Sequence, residues 1–287
     1  MDLFSTLFLL FLVVSTLQPM LQVRHQAMQR ARQIAVIEKE RGSRVITMIH
    51  RQETRRFFSI PVSRMIDLED AQVIIPAIQQ TPPDKPIDLV LHTPGGMLLA
   101  AMQIARALKA HPAKVTVYVP VYAMSGGTLL ALAADEIVME DFSVLGPIDP
   151  QIIGLPATGL IEVKNLKPIA EINDLTLIFA SLSEKALKQV KSGALELIGD
   201  DLPPEKAATL VDKLAGGQWT HDYALTAKEA IELGLPVKSG IPGSIMKLMQ
   251  LYPQPVRLLP SIEFLPATPS RRAAMAETAA LFIGKTL

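Results

Sequence analysis

The amino-acid sequence predicts an α/β fold with a mainly parallel sheet. Short apolar runs at residues 45–49, 87–91, 115–119 and 136–139 alternate with helix-like stretches. This is the order expected when each strand of a parallel sheet is followed by a helix. Two of the runs end in glycine-rich turns, and α/β folds form their sites at the C-terminal ends of strands. The two turns therefore mark the region where a site is expected.

The first element of the chain is an apolar stretch at residues 3–21. At 1.5 Å per residue, about 19 to 20 helical residues just span a ~30 Å hydrocarbon core. No Lys or Arg precedes the stretch, whereas Arg24, Arg30 and Arg32 follow it. Because positive flanks stay in the cytoplasm, we expect residues 1–21 to form a single uncleaved transmembrane anchor. Residues 3–21 would contact membrane lipid, and the rest of the protein would lie in the cytoplasm.

The remaining elements divide the chain into three further parts. Residues 22–42 mix apolar and long polar side chains and end at Gly42, which predicts a juxtamembrane helix. Residues 43–240 contain the strand–helix alternation and predict one α/β domain. Residues 241–287 include five prolines between 253 and 269, which predict an extended tail and then a terminal helix. Helices of the α/β domain are predicted over 68–80, 98–109, 128–134, 175–191, 203–214 and 226–233.

Composition excludes several classes of function. The chain has 287 residues, 49% of them hydrophobic, and 28 basic residues balance 28 acidic ones. With zero net charge, the chain lacks the excess of basic residues that binds nucleic acid, so no nucleic-acid partner is expected. The absence of cysteine excludes disulfides, a thiol nucleophile and cysteine zinc sites. The five histidines show no metal-ligand spacing, so neither a metal nor a cofactor is expected.

Ser125 is the strongest candidate for chemistry. It lies in the run YAMSGGT at residues 122–128, between a strand-like run and the helix-forming stretch 129–134. Its hydroxyl would lie at the start of a helix, where backbone N–H groups are unsatisfied. The upstream turn HTPGG at 92–96 also follows a strand. One turn would carry a nucleophile and the other oxyanion donors, although either turn alone also fits an ordinary tight turn or N-cap.

Three motifs together resemble a known family. They are TPGG at 93–96, AMSGGTLLALAADEIVM at 123–139 and LGPIDP at 145–150. In this order they resemble the Clp-fold serine peptidases of the signal-peptide-peptidase (SppA) type, more narrowly the membrane-anchored serine dehydrogenase proteinase branch, over residues 45–237. The resemblance implies a Clp/crotonase-like fold with Ser125 as nucleophile. It also implies oxyanion donors from the backbone of Gly95, Gly96 and Gly126. We further expect a homo-oligomer.

A serine nucleophile needs a base, and the sequence leaves its identity open. The resemblance to the SppA type implies a Ser–Lys dyad. The lysine position just before the predicted helix 175–191 favours Lys167, with Lys164 next. A lysine base needs its pKa lowered by roughly 3 units from ~10.4, which requires an apolar pocket. No histidine lies between His111 and His221, which argues against a Clp-like Ser-His-Asp triad. His221 is the alternative base, although it also fits a capping role before Thr226. Asp149 and Gln151, in the glycine-proline loop after the serine helix, either orient a base, line the cleft or satisfy local backbone groups.

The sequence therefore predicts a membrane-anchored serine endopeptidase that hydrolyses membrane-associated or unfolded peptides. Two alternatives stay open. A crotonase-type acyl-CoA enzyme would share the oxyanion architecture without the serine nucleophile. A catalytically silent membrane scaffold would keep the fold alone.

Overall fold

A five-stranded parallel sheet forms the centre of the protein. Its strands lie side by side in the order β1 (Arg44–Ile49), β2 (Ile87–His92), β3 (Val115–Val119), β5 (Glu136–Met139) and β10 (Val237–Ser239). The computed structural model describes residues 3–50 and 64–252. Every residue of β2 and β3 is buried, because helices cover both faces of the sheet. This is why these strands are continuous apolar runs and do not alternate with polar residues. The predicted α/β fold with a mainly parallel sheet is confirmed.

Within the described residues the chain forms ten strands and nine α-helices. The strands are β1 Arg44–Ile49, β2 Ile87–His92, β3 Val115–Val119, β4 Tyr122–Ala123, β5 Glu136–Met139, β6 Val144–Leu145, β7 Gln151–Ile152, β8 Leu155–Pro156, β9 Leu225–Thr226 and β10 Val237–Ser239. The helices are α1 Leu3–Arg41, α2 Leu68–Gln79, α3 Leu98–Lys109, α4 Gly126–Leu132, α5 Ala157–Leu166, α6 Asp174–Ile198, α7 Pro204–Ala215, α8 Ala227–Glu232 and α9 Gly243–Gln250.

The two faces of the sheet have separate cores. Leu89, Leu91 and Val117 point to the larger core, which contains buried residues of α2, α3, α4, α6 and α7. Val90 and Tyr118, in the alternate positions, point to the smaller core. That core is closed by the C-terminal end of α1 and by α9, a helix that the sequence analysis did not predict. The sheet is thus the middle layer of three.

A second, three-stranded sheet has the order β4-β6-β9. Ala123 pairs with Leu145, and Leu145 pairs with Leu225. These strands are two residues long, too short for any periodic pattern in the sequence to predict them. These strands bring together three turns that are distant in sequence. The turns contain residues 125, 149 and 221.

The prediction of a membrane-spanning anchor over residues 3–21, with a single-pass membrane location, is contradicted. Among the helices that the described residues form, none is long and apolar enough to cross a lipid bilayer. Residues 3–21 are not an element of their own. They belong to α1, which runs for 39 residues without a break into the charged stretch that ends at Arg41.

The C-terminal part of α1 is attached to the α/β core. Arg30 Nε donates to the carbonyl of Leu251 at 2.8 Å, and Gln33 Nε2 donates to that of Ser244 at 2.8 Å. Arg41 forms an ion pair with the buried Asp88 of β2. These contacts make the end of α1 part of the layer that covers the smaller core. The predicted extended stretch and terminal helix beyond residue 252 lie outside the described residues.

This packing predicts a difference between two adjacent residues of α1. Ile37 is 0% exposed and lies in the smaller core, whereas Val36 is 45% exposed. We expect Ile37→Ala to lower the free energy of unfolding by about 2–5 kcal/mol, because it leaves a cavity. Val36→Ala should change it by less than about 0.5 kcal/mol. Urea unfolding followed by circular dichroism measures both, and equal effects would show that the end of α1 is not part of the core.

Candidate active site

Ser125 is held in a strained backbone conformation between β4 and α4. Its φ is 50° and its ψ is −115°, and among the described non-glycine residues only Ile153 shares a positive φ. Such a conformation costs of order 1–3 kcal/mol and persists only where the surroundings impose it. Ser125 is the N-cap of α4, yet its side chain makes no capping hydrogen bond. Its hydroxyl is therefore available to the adjacent pocket.

Hydrogen bonds on both sides impose this conformation. The single proton of Thr128 Oγ1 lies between the carbonyls of Ala123 at 3.0 Å and Gly146 at 2.8 Å. Oγ1 also accepts the Gly146 N–H at 3.1 Å, which connects the turn to the loop after β6. On the other side, Thr93 N–H donates to the carbonyl of Tyr122 at 3.2 Å, and Met124 N–H donates to that of Thr93 at 3.0 Å. The turn at residues 93–96 and the serine turn thus form one backbone unit.

The two turns approach so closely that Gly95 has no room for a side chain. A Cβ on Gly95 would lie 2.7 Å from Ser125 Cβ and 2.8 Å from the Met124 carbonyl oxygen. Gly95 also has a φ of 99°, in the region that favours glycine. The glycine at this position is required by both space and backbone conformation.

The proposed oxyanion donors do not all have free N–H groups. Gly95 N–H donates to Thr93 Oγ1 at 3.1 Å and is therefore occupied. Gly96 N–H and Gly126 N–H donate to no residue that the structure describes. The Gly96 nitrogen lies 3.5 Å from where a Cβ of Gly126 would be. Of the three glycines, Gly96 and Gly126 have the pair of adjacent free donors that an oxyanion needs.

Ser125 lines a mainly apolar pocket of about 490 Å³. Its polar lining comes from Ser125, Asp149, Gln151 and His221. The rest of the lining is apolar or glycine: Met65, Pro94, Gly96, Met97, Leu98, Gly126, Leu129, Ile148, Pro150, Ile152, Ala186 and Val190.

Asp149 and His221 form a hydrogen-bonded pair in this pocket. His221 Nδ1 lies 2.8 Å from Asp149 Oδ1, and Gln151 Nε2 donates to Asp149 Oδ2 at 2.6 Å. Asp149 is only 2% exposed. The hydrogen bond to Asp149 raises the pKa of His221, against the opposing effect of burial. Since a carboxylate can only accept, Nδ1 carries the proton, and Nε2 of the neutral ring is left as a basic atom.

The loop that carries His221 is fixed by aromatic packing. Trp219 and Tyr223 stack with ring centroids 4.7 Å apart and an angle of 5° between their planes. The Tyr223 hydroxyl donates to Glu229 Oε1 at 2.6 Å, and Glu229 completes a capping box with Thr226 at the start of α8. The loop is thereby anchored to the first turn of α8 beyond β9.

The two candidate lysines lie outside the pocket lining. Lys167 is an exposed residue that follows the last turn of α5. Lys164 is half-exposed and pairs with Glu184 Oε1 at 2.7 Å. The structure therefore brings Ser125, Gly96, Gly126 and His221 together and does not bring either lysine to them. Sequence reasoning missed the pairing of Asp149 with His221, because 72 residues separate them. The available signal was that no other histidine follows the serine.

Comparison with known proteins gives matches along almost the whole chain. A family model described as ClpP-like SDH-type serine proteinase matches residues 1–279. Two proteins of Methanocaldococcus jannaschii are similar. The uncharacterized protein MJ1495 is 46% identical over 272 residues, which cover 95% of this chain and 92% of that protein. The uncharacterized protein MJ0137 is 48% identical over 248 residues, which cover 86% and 87% of the two chains.

The close approach at Gly95 can be tested with a matched glycine. Gly240 has a φ of 97°, nearly that of Gly95, but a Cβ there would meet nothing within 4 Å. Both alanine variants should lose about 1–2 kcal/mol through the positive φ. Gly95→Ala should lose a further 1–3 kcal/mol or so through its clash with the serine turn. Chemical denaturation measures the difference, and equal losses would contradict the clash.

Proposed function

The chain belongs to the ClpP-like SDH-type serine proteinase family, and on this premise we propose that it is a serine endopeptidase that cleaves unfolded peptides with Ser125 as nucleophile. The observation that carries the mechanism is the Asp149–His221 pair in the pocket that Ser125 lines. A nucleophile, a base and a group that orients the base are the parts that acyl transfer by serine requires.

We assign the base to His221 in preference to Lys167. A lysine must be deprotonated near neutral pH, and only a buried, apolar position lowers its pKa enough. Lys167 is exposed to solvent. His221 needs no such shift, and its hydrogen bond to Asp149 supports the tautomer in which Nε2 accepts a proton.

The proposed reaction follows from these groups. His221 Nε2 takes the proton of Ser125 Oγ as Oγ bonds to the carbonyl carbon of the substrate. The oxyanion that forms accepts hydrogen bonds from Gly96 N–H and Gly126 N–H. The imidazolium, stabilised by Asp149, gives its proton to the amine as the C–N bond breaks. Water then attacks the acyl-enzyme, with His221 again taking and returning a proton.

The pocket also supports a substrate class. Leu129, Ile148 and Val190 give it an apolar wall next to Ser125. A peptide that places an apolar side chain there would bury hydrocarbon surface, at roughly 25 cal/mol per Å². Such side chains are accessible in unfolded chains, which is why we propose unfolded peptides as substrates.

The assignment of the base predicts the behaviour of three alanine variants. Ser125→Ala and His221→Ala should each lose roughly 10³-fold or more in kcat, and the double variant should be no worse, because the two act as a unit. Lys167→Ala should keep wild-type activity. Turnover of a fluorescently quenched, unfolded protein substrate measures kcat, and a fluorophosphonate with peptide mapping shows whether Ser125 is modified. An inactive Lys167→Ala with an active His221→Ala would reverse the assignment of the base.

The pH dependence gives a second test. The base must be neutral to accept a proton, so kcat/KM should fall as the pH drops below the pKa of His221. Asp149 raises this pKa above its ordinary value, which places the fall at correspondingly higher pH. Asp149→Asn removes the charge, so its inflection should move to lower pH while the rate falls by up to about 10⁴-fold. An unchanged inflection in Asp149→Asn would show that another group controls the acidic limb.

A further inference from the structure

A buried chain of hydrogen bonds leads from α2 to the glycine turn beside Ser125. Asp70 Oδ2 lies 3.2 Å from His50 Nε2, and His50 Nδ1 lies 2.7 Å from Thr93 Oγ1. Thr93 Oγ1 in turn accepts the Gly95 N–H at 3.1 Å. His50 is 5% exposed and Thr93 is 0% exposed, and neither lines the pocket. These groups therefore do not contact a substrate.

The direction of each bond follows from the chemistry of the partners. Burial raises the pKa of Asp70, but hydrogen bonds from His50 and the Asp67 backbone outweigh this effect and keep the pKa below its ordinary value. The carboxylate can only accept, so His50 Nε2 carries the proton. With the ring proton on Nε2, Nδ1 accepts from the Thr93 hydroxyl at 2.7 Å, a shorter contact than the 3.5 Å from that hydroxyl to the Gly95 carbonyl. Thr93 Oγ1 keeps a lone pair for Gly95 N–H, so the hydroxyl acts as donor and acceptor at once.

The residues just before Asp70 also hold the glycine turn, through backbone hydrogen bonds. Ile66 N–H donates to the Gly95 carbonyl at 2.7 Å, and Met97 N–H donates to the Ile66 carbonyl at 2.8 Å. In a trans peptide the C=O and the following N–H point in opposite directions. Fixing the Gly95 carbonyl on Ile66 therefore directs Gly96 N–H to the other side. Residues 66–70 therefore hold Gly95 in two ways. The Ile66 backbone binds the Gly95 carbonyl, and the Asp70 side chain is connected to the Gly95 N–H through His50 and Thr93.

We propose that Thr93 and His50 are positioning residues of the oxyanion hole, which hold the Gly95–Gly96 backbone so that Gly96 N–H is aligned for the transition state; this rests on the proposed function. An oxyanion donor acts only when it lies 2.7–3.1 Å from the developing charge. A misplacement of about 1 Å can cost 10²-fold in rate. Losing the hydroxyl of Thr93 frees Gly95 N–H and removes one of the fixed points of the turn.

The experiment measures the modification of Ser125 by an alkyl fluorophosphonate, whose phosphoryl oxygen occupies the oxyanion hole in the adduct. Thr93→Val removes the hydroxyl at nearly constant volume, and Thr93→Ser retains it. We expect the limiting rate of modification to fall at least about ten-fold in Thr93→Val. The half-saturating probe concentration and the inflection of the pH profile should stay unchanged. Thr93→Ser should recover most of the rate.

Thr81→Val is the matched control. Thr81 is also a buried threonine, and its hydroxyl donates to the Ala77 carbonyl at 2.8 Å in the last turn of α2. This variant loses one buried hydroxyl hydrogen bond without touching the glycine turn. It should react with the probe at the wild-type rate.

A pair of His50 variants provides an independent measurement, which decides the matter if Thr93→Val does not fold. The amide oxygen of His50→Asn occupies nearly the position of Nδ1 and can accept from the Thr93 hydroxyl, whereas His50→Leu cannot. We expect His50→Asn to react several-fold faster than His50→Leu.

The outcomes distinguish a failure of the positioning role from a failure of the proposed function. Modification of Thr93→Val at the wild-type rate, or equal loss in Thr93→Val and Thr93→Ser, would overturn the positioning role. Equal rates in His50→Asn and His50→Leu would do the same. A wild-type protein that is not modified at Ser125 would instead contradict the proposed function, and the positioning role would fail with it.

Discussion

The register of the small sheet is the constraint on which the arrangement of the site depends. Ala123, Leu145 and Leu225 lie side by side in β4, β6 and β9. Ser125 follows Ala123 by two residues, Asp149 follows Leu145 by four, and His221 precedes Leu225 by four. The main sheet alone would bring only the strand ends together. The short strands add the loop with Asp149 and the loop with His221, which no strand of the main sheet precedes directly.

Close backbone contact is the second constraint, and it explains why the glycine motifs could be predicted from sequence. Gly95 leaves no space for a Cβ beside Ser125, so the requirement for glycine is local and visible in the residue types. The parallel sheet was predictable for the same reason. β2 and β3 are buried on both faces, and that environment demands continuous apolar runs.

The rest of the site could not be predicted because it depends on contacts between distant segments. The pairing of Asp149 with His221 follows from two-residue strands that have no periodic signal. Lys167 was favoured for its position in sequence, just before the predicted helix 175–191, yet it lies exposed to solvent at the end of α5. Residues 3–21 were predicted to span a membrane, whereas no helix of the described residues is long and apolar enough to do so. The position of Lys167 in sequence does not determine its tertiary environment, which depends on how α5 packs.

The stacked pair Trp219 and Tyr223 has a consequence for spectroscopy. Trp219 is the one tryptophan in the chain, and it lies two residues from His221 in the loop that carries the ring. Indole emission depends on the polarity and contacts of its immediate surroundings. The tryptophan fluorescence of the whole protein therefore comes from a single position next to the proposed base. Ligands or substitutions that displace this loop should change the tryptophan emission, which can be measured without a label.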